Sequence, residues 1–305
     1  MSLNIIHLLK IIRIHILTGG ILAFSVGALL GIANGGVFNL PLVVLAYIVV
    51  LLGDLSSHYS NDYFDIEVDR YIERKKFFSG STILVNHPHL RSMAKSISVS
   101  LLFSSNFLAL LISLFLEAPI EIFYVILFAS LAGWFYSAPP TRLISRGFGE
   151  ITVAFVTGFA IPAIGYLSVK GQFDPLFFLL APSFVMYGLI LSLSLEAPDA
   201  AIDRKGGKRT LIVRKGSYNI FLIIFALAAT ATLLLALYSW MTVFEVLNMG
   251  FFTLFSIAPL LSAFFGLVGV LQKKTVNRFS ELNVASLFIF NILAIAYLLI
   301  LVFLK

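Results

Sequence analysis

Nine stretches of this chain stay apolar for roughly twenty residues at a time, and nothing else in it restricts the fold so strongly. An α-helix of about 20 residues crosses the hydrocarbon core of a bilayer, so each stretch is long enough to span. They lie near 15–34, 39–62, 92–115, 119–138, 147–168, 175–198, 218–239, 244–271 and 281–304. Turn and capping residues separate them, among them Asn34-Gly35-Gly36, Pro88, Pro139-Pro140, Gly171 and Gly206-Gly207. Charged residues make up only 12% of the 305, half the share of about 25% in a soluble domain, and mean hydropathy is +1.01. The runs are too long for barrel strands and lack their period-2 alternation. The predicted fold is therefore all-α, a single domain over 1–305 with nine transmembrane helices around a central cavity.

The rest of the composition narrows the function classes. Cysteine is absent, which removes disulfides, thiolate catalysis and thiolate metal sites. Net charge is +6, but the basic residues sit between apolar runs and form no nucleic-acid-like patch. No small-residue cleavage motif follows the first run, so it is expected to stay as a span. With the N-terminus in the cytoplasm, Lys170 and Lys305 are the only Lys or Arg of the 21 to fall outside. Glu117, Glu121, Asp174 and Glu245 fall outside with them. That asymmetry follows the positive-inside rule. It predicts a multi-pass protein with a cytoplasmic N-terminus, an external C-terminus and cytoplasmic loops rich in Lys and Arg.

Against this background the segment His58–Arg70, HYSNDYFDIEVDR, stands out. On a helix Asn61, Asp65 and Asp69 share one face at i, i+4 and i+8, with Asp62 turned about 100° away. Carboxylates so close repel one another unless a cation lies among them. A second pair, Asp199 and Asp203, repeats the i, i+4 spacing at the end of the sixth run. An even number of spans separates the two, so both point to the same side of the membrane, and each is followed by a basic loop. One D-x-x-x-D at a helix end is commonly a solvated or N-capping face. Two in equivalent positions of an apolar chain argue for chemistry.

Facing one another, these residues would form an oxygen-rich cage without soft ligands, which suits Mg²⁺. Arg204, Lys205, Lys208 and Arg209 could hold phosphate oxygens, with Gly206-Gly207 letting the backbone turn beside them. A Mg²⁺–diphosphate at the mouth of an apolar bundle implies a substrate with a charged head and an apolar tail. The 30 Phe and 11 Tyr could line a tail channel and stabilise a carbocation, although most such rings simply pack. The five histidines show no metal-ligand spacing; His87 and His89 read as loop residues, and His58 as packing or support for the site.

Asn61-Asp62-Tyr63-Phe64-Asp65 with Asp69, then Asp199 and Asp203, resemble the two aspartate motifs of the UbiA-type intramembrane prenyltransferases. Tyr136-Ser-Ala-Pro-Pro-Thr-Arg142-Leu-Ile-Ser-Arg146-Gly-Phe-Gly-Glu150 resembles the Y-S/T-x-P-P-x-K/R-L…R-G-x-G-E stretch of its MenA-like branch, which prenylates dihydroxynaphthoate. Asp203-Arg-Lys-Gly-Gly-Lys208-Arg209-Thr-Leu matches a D-R-x-x-G-K-R-T-L run, and Arg13 stands where that branch has a basic residue. There are departures. Leu195-Glu196-Ala197-Pro198-Asp199 replaces N-N-x-R-D, and His58 replaces a usual Asn. The R-P-x-x-x-G signature of the hydroxybenzoate and glycerol-phosphate branches is missing, with Phe78-Ser79-Gly80-Ser81 nearby instead.

The resemblance implies transfer of a prenyl group from an allylic (poly)prenyl diphosphate to a small lipophilic acceptor within the bilayer. In that reading Asn61, Asp65, Asp69, Asp199 and Asp203 hold two Mg²⁺ ions, with Asp62 a further ligand or supporting partner. Arg70, Lys208 and Arg209 clamp the diphosphate, while Tyr136, Ser137 and Arg142 serve the reacting carbon or the head group. Arg13 and Arg146 join the substrate-binding set, or Arg146 and Glu150 form a structural i, i+4 ion pair. The rival readings are transfer to a non-aromatic acceptor such as a glycerol phosphate and, in another class, a cation-coupled transporter.

Overall fold

A computed structural model of the chain describes residues 3–72 and 81–304. Arg74, Lys75, Lys76 and Lys305, placed above by charge, lie outside these, as do Phe78, Ser79 and Gly80. Every regular element among the described residues is helical. Among the described residues nine helices are long and apolar enough to cross a membrane: α1 (Ile14–Ala33), α2 (Leu40–Phe64), α3 (Arg91–Phe115), α4 (Ile120–Ser137), α5 (Gly149–Lys170), α6 (Pro175–Glu196), α7 (Leu211–Tyr238), α8 (Met249–Leu271) and α9 (Val276–Phe303).

Each helix packs on its neighbour in the chain, and α9 returns to α1, closing a ring that α1–α5 and α6–α9 contacts brace across. Two apolar cores hold it. Val49, Ile122, Ile164 and Leu167 join the first five helices, and Phe177, Phe221, Phe252 and Phe290 join the last four. Large apolar side chains such as Phe103, Phe128, Phe265 and Ile300 point outward instead. That is costly in water but ordinary against lipid tails.

Local chemistry explains where the boundaries differ from the apolar runs. Helical pairing in α7 begins at Leu211, but Gly216 takes φ +78°, ψ 165°, so the straight span starts beyond it, close to the expected 218. The eighth begins at Met249 rather than 244, because the Asn248 side chain caps it by accepting from the Gly250 N–H at 3.0 Å. In α5 the turn Val156–Ala160 is π-helical, just before Pro162, and Val156, Thr157 and Ala160 line the cavity described below.

The α1–α5 contact is backbone on backbone. A Cβ on Gly27 would stand 2.0 Å from the Pro162 carbonyl oxygen, and one on Gly165 2.2 Å from that of Phe24. Neither carbonyl can retreat without parting the helices. Gly27→Ala should therefore cost at least about 2–3 kcal/mol and lower the melting temperature in detergent. Gly19→Ala, whose Cβ would meet only the Phe288 ring at 3.6 Å, should leave it unchanged. Equal melting of the two variants would refute the close-packing account.

Candidate active site

The helix α2 is the first wall of the site. Its α-geometry stops at Phe64, because Asp65 adopts φ −93°, ψ 6°, and a short helix Ile66–Asp69 follows. The hydrogen bonds Asp65 N–H to Asn61 O and Asp69 N–H to Asp65 O persist through the bend, at 2.8 and 2.9 Å. Asn61, Asp65 and Asp69 consequently stay on one face, and all three line one cavity.

The end of α6 repeats this backbone. Pro198 has no N–H to continue the helix, so Ala197–Asp199 tightens into a 3₁₀ turn and the short helix Ala200–Lys205 follows. Asp199 sits at φ −99°, ψ 6°, in the same sparsely populated bridge region as Asp65. Each motif thus carries its first aspartate at a bend and its second one turn later. Asp199 and Asp203 line the same cavity as the α2 face.

The two short helices touch closely. A Cβ on Gly206 would come within 2.7 Å of Val68, and Gly207, at φ +76°, turns the chain back toward the cavity. The turn delivers the buried Lys208 between the motifs, with Nζ 2.9 Å from Asp65 Oδ2 and 3.8 Å from Asp203 Oδ1. Burial alone would lower the pKa of Lys208, but the carboxylates of Asp65, Asp203 and Asp69 raise it above its ordinary value. For Asp69, burial raises the pKa to about 8, helped by the Asp62 and Asp65 carboxylates and opposed by Lys208 and Arg13.

The cavity of about 280 Å³ is walled by α1 to α6, with Ile144 and Lys208 from the loops. Its deep end is apolar, with Val50, Leu102, Ile126 and Ile164, while Trp134 and Tyr136 lie on its α4 wall. A second cavity of about 110 Å³, lined by α1, α5, α6 and α9, shares Ile16, Thr157, Ile161, Leu191 and Leu195 with it. Among the described residues α7 and α8 line neither cavity; they pack outside.

Other residues singled out in the sequence go elsewhere. Asp62 is buried but absent from the cavity wall, its Oδ1 accepting from an Arg13 guanidinium nitrogen at 2.9 Å. Arg13 lines the cavity and donates its backbone N–H to His58 Nδ1 at 3.4 Å. Arg70 is exposed and pairs with Glu67 at 2.8 Å. Arg142, Arg146 and Arg209 are exposed too, beyond the cavity lining. Ser137 is buried, its Oγ without a hydrogen-bond partner among the described residues. The i, i+4 pair of Arg146 and Glu150 does not form. Arg146 donates to the Pro140 carbonyl at 2.9 Å, and the buried Glu150 accepts from the Leu211 N–H, tying the start of α5 to that of α7.

Two cavity residues escaped the motif reading. Glu196 lines the wall with Oε1 accepting from Ser192, and Asp54 extends the α2 face deeper, beside His58. A carboxylate one or two turns from a motif, on its own face, was the available signal for both.

The donor set fits a hard divalent cation. It consists of carboxylate oxygens and one amide, and Asn61 Oδ1 is buried without a hydrogen-bond partner among the described residues. No three acidic or imidazole side chains among those residues yet converge on one point, and Lys208 bridges Asp65 and Asp203 instead.

A sequence profile of the UbiA prenyltransferase family matches residues 21–292, whereas no curated protein sequence matches. Among solved structures, a UbiA homologue from Archaeoglobus fulgidus bound to dimethylallyl diphosphate and Mg²⁺ is similar at 20% identity and a TM-score of 0.72, over 96% of this chain and 99% of that one. Its geranyl diphosphate and Mg²⁺ complex gives 19% and 0.70, over 95% and 99%. The structure of a digeranylgeranylglyceryl phosphate synthase gives 16% and 0.69, over 97% and 99%. At these identities the likeness concerns the fold.

Proposed function

From the premise that this chain belongs to the UbiA prenyltransferase family, we propose that it moves a prenyl group from an allylic diphosphate to an aromatic, hydroxyl-bearing acceptor of the dihydroxynaphthoate type. The observation that carries this reading is the pair of identically bent aspartate motifs, joined through Lys208 at the mouth of an apolar cavity. Charge placement supports a cytoplasmic position for that mouth.

Asn61, Asp65, Asp69, Asp199 and Asp203 would hold Mg²⁺, in two ions as the family resemblance implies. Bound Mg²⁺ neutralises charge that grows on the diphosphate as its bond to the allylic carbon breaks. Lys208 exchanges carboxylate partners for a diphosphate oxygen and holds it as a point charge. The exposed Arg70, Arg142, Arg146 and Arg209 give the entrance a positive field that draws the anion in. The ring faces of Trp134 and Tyr136 favour a cation beside them. The apolar wall keeps water from trapping that cation before the acceptor does, and the adjoining smaller cavity has the lining a prenyl tail requires.

A product assay tests the reading. Purified protein with Mg²⁺ and a series of prenyl diphosphates is offered dihydroxynaphthoate, hydroxybenzoate and glycerol-phosphate acceptors. Mg²⁺-dependent prenylation of the naphthoate is the expected result. Transfer confined to a glycerol phosphate would reassign the acceptor, and cation flux in proteoliposomes without any transfer would overturn the reaction itself.

A further inference from the structure

The cavity contains a polar pair that the diphosphate site does not use. Asp54 lies two helical turns before Asn61 on α2, about 10 Å deeper along the axis, where the cavity wall carries Val50, Leu102, Ile126, Ile161 and Ile164 together with Ser57 and Ser130. An ionisable side chain at such depth is costly, and lining a functional cavity is a common reason to keep one. Its side chain is 19% exposed to the cavity, whereas that of His58, one turn away, is 4% exposed. His58 Nε2 stands 3.5 Å from Asp54 Oδ1. Because His58 Nδ1 accepts the Arg13 N–H, the proton of a neutral ring sits on Nε2, the nitrogen nearest Asp54. The other oxygen has room: a Cβ on Gly20 would come within 3.5 Å of Oδ2, and glycine leaves that space open.

Resting on the reading of this cavity as a prenyl-transfer site, we propose that Asp54 is the acceptor-recognition group, accepting a hydrogen bond from a hydroxyl of an apolar acceptor, with His58 as its positioning residue. With Asp54 about 10 Å below Asn61 along the axis, an acceptor anchored there at one end can present its other end toward the allylic carbon. A hydroxyl donor in the apolar wall forms a charge-assisted bond with Asp54. A molecule of the same shape without the hydroxyl leaves the carboxylate without that partner. The site therefore selects for the hydroxyl as well as for size.

The test uses two probes that share the ring and its oxygen but not the O–H donor, 1-naphthol and 1-methoxynaphthalene, with full-length protein, Mg²⁺ and the slowly reacting analogue geranyl thiolodiphosphate. Wild type should prefer the naphthol by about tenfold or more, as expected for a hydrogen bond to a charged group. Asp54→Leu should remove the preference, and the near-isosteric Asp54→Asn should reduce it. Both should leave the affinity for the thiolodiphosphate unchanged. His58→Leu should weaken the preference less than Asp54→Leu. A wild type without preference, or an Asp54→Asn variant that keeps it in full, overturns the assignment. Failure of wild type to bind the thiolodiphosphate with Mg²⁺ strikes instead at the prenyl-transfer reading beneath it.

Discussion

Asp65→Ala and Asp203→Ala are each expected to lower prenyl transfer by at least about a thousandfold while the helical bundle stays folded. The two effects separate because of where these side chains sit. The helical ladder through the bend is made by backbone groups, Asp65 N–H to Asn61 O and Asp69 N–H to Asp65 O, which alanine retains. Each variant also leaves Lys208 one carboxylate partner, since its ammonium stands near both Asp65 and Asp203. What disappears is an oxygen at the place where a cation and a diphosphate would meet. Labelled prenyl diphosphate reports transfer, and thermal melting in detergent reports the fold. Wild type in excess EDTA should match the variants and recover on adding Mg²⁺. Normal turnover by either purified variant, or by wild type in EDTA, would sink the mechanism.

The sequence showed this site unevenly, for physical reasons. Spans and carboxylate faces are periodic properties, so the nine helices and the row Asn61, Asp65 and Asp69 were legible from spacing alone. The angular offset of Asp62 was legible too. It separated that residue from the row, although only the fold supplied its partner, Arg13. Loop arginines carry no such period. Arg70, Arg142, Arg146 and Arg209 match a motif, yet turns such as the left-handed Arg142, at φ +45°, decide where they point, and each is exposed. The shared bend at Asp65 and Asp199 was hidden because only one of the two motifs has a proline to announce it. Asp54 escaped notice because a lone carboxylate carries no motif. Its place on the α2 face becomes informative only once that face is known to line a cavity.

Lys208→Met is expected to make stability depend more strongly on Mg²⁺ and so to show what the buried ammonium does. In the structure Lys208 bridges Asp65 and Asp203 and is the ammonium nearest the row. Removing it leaves buried carboxylates facing one another without compensation, and breaking a buried pair costs about 3–5 kcal/mol. The variant should therefore melt several degrees below wild type in EDTA. Mg²⁺ should then stabilise it more than it stabilises wild type. In wild type an incoming cation must displace the ammonium from the carboxylates, and in the variant it meets them vacant. Ligand binding raises stability with the logarithm of ligand concentration over the dissociation constant, so a Mg²⁺ titration of the melting temperature measures the competition directly. Transfer should still fall by at least about tenfold at saturating Mg²⁺, because the departing diphosphate has lost a charged donor. Equal Mg²⁺ shifts in the two proteins would mean that Lys208 and the metal do not compete, and that the ammonium stays where it is when the site is loaded.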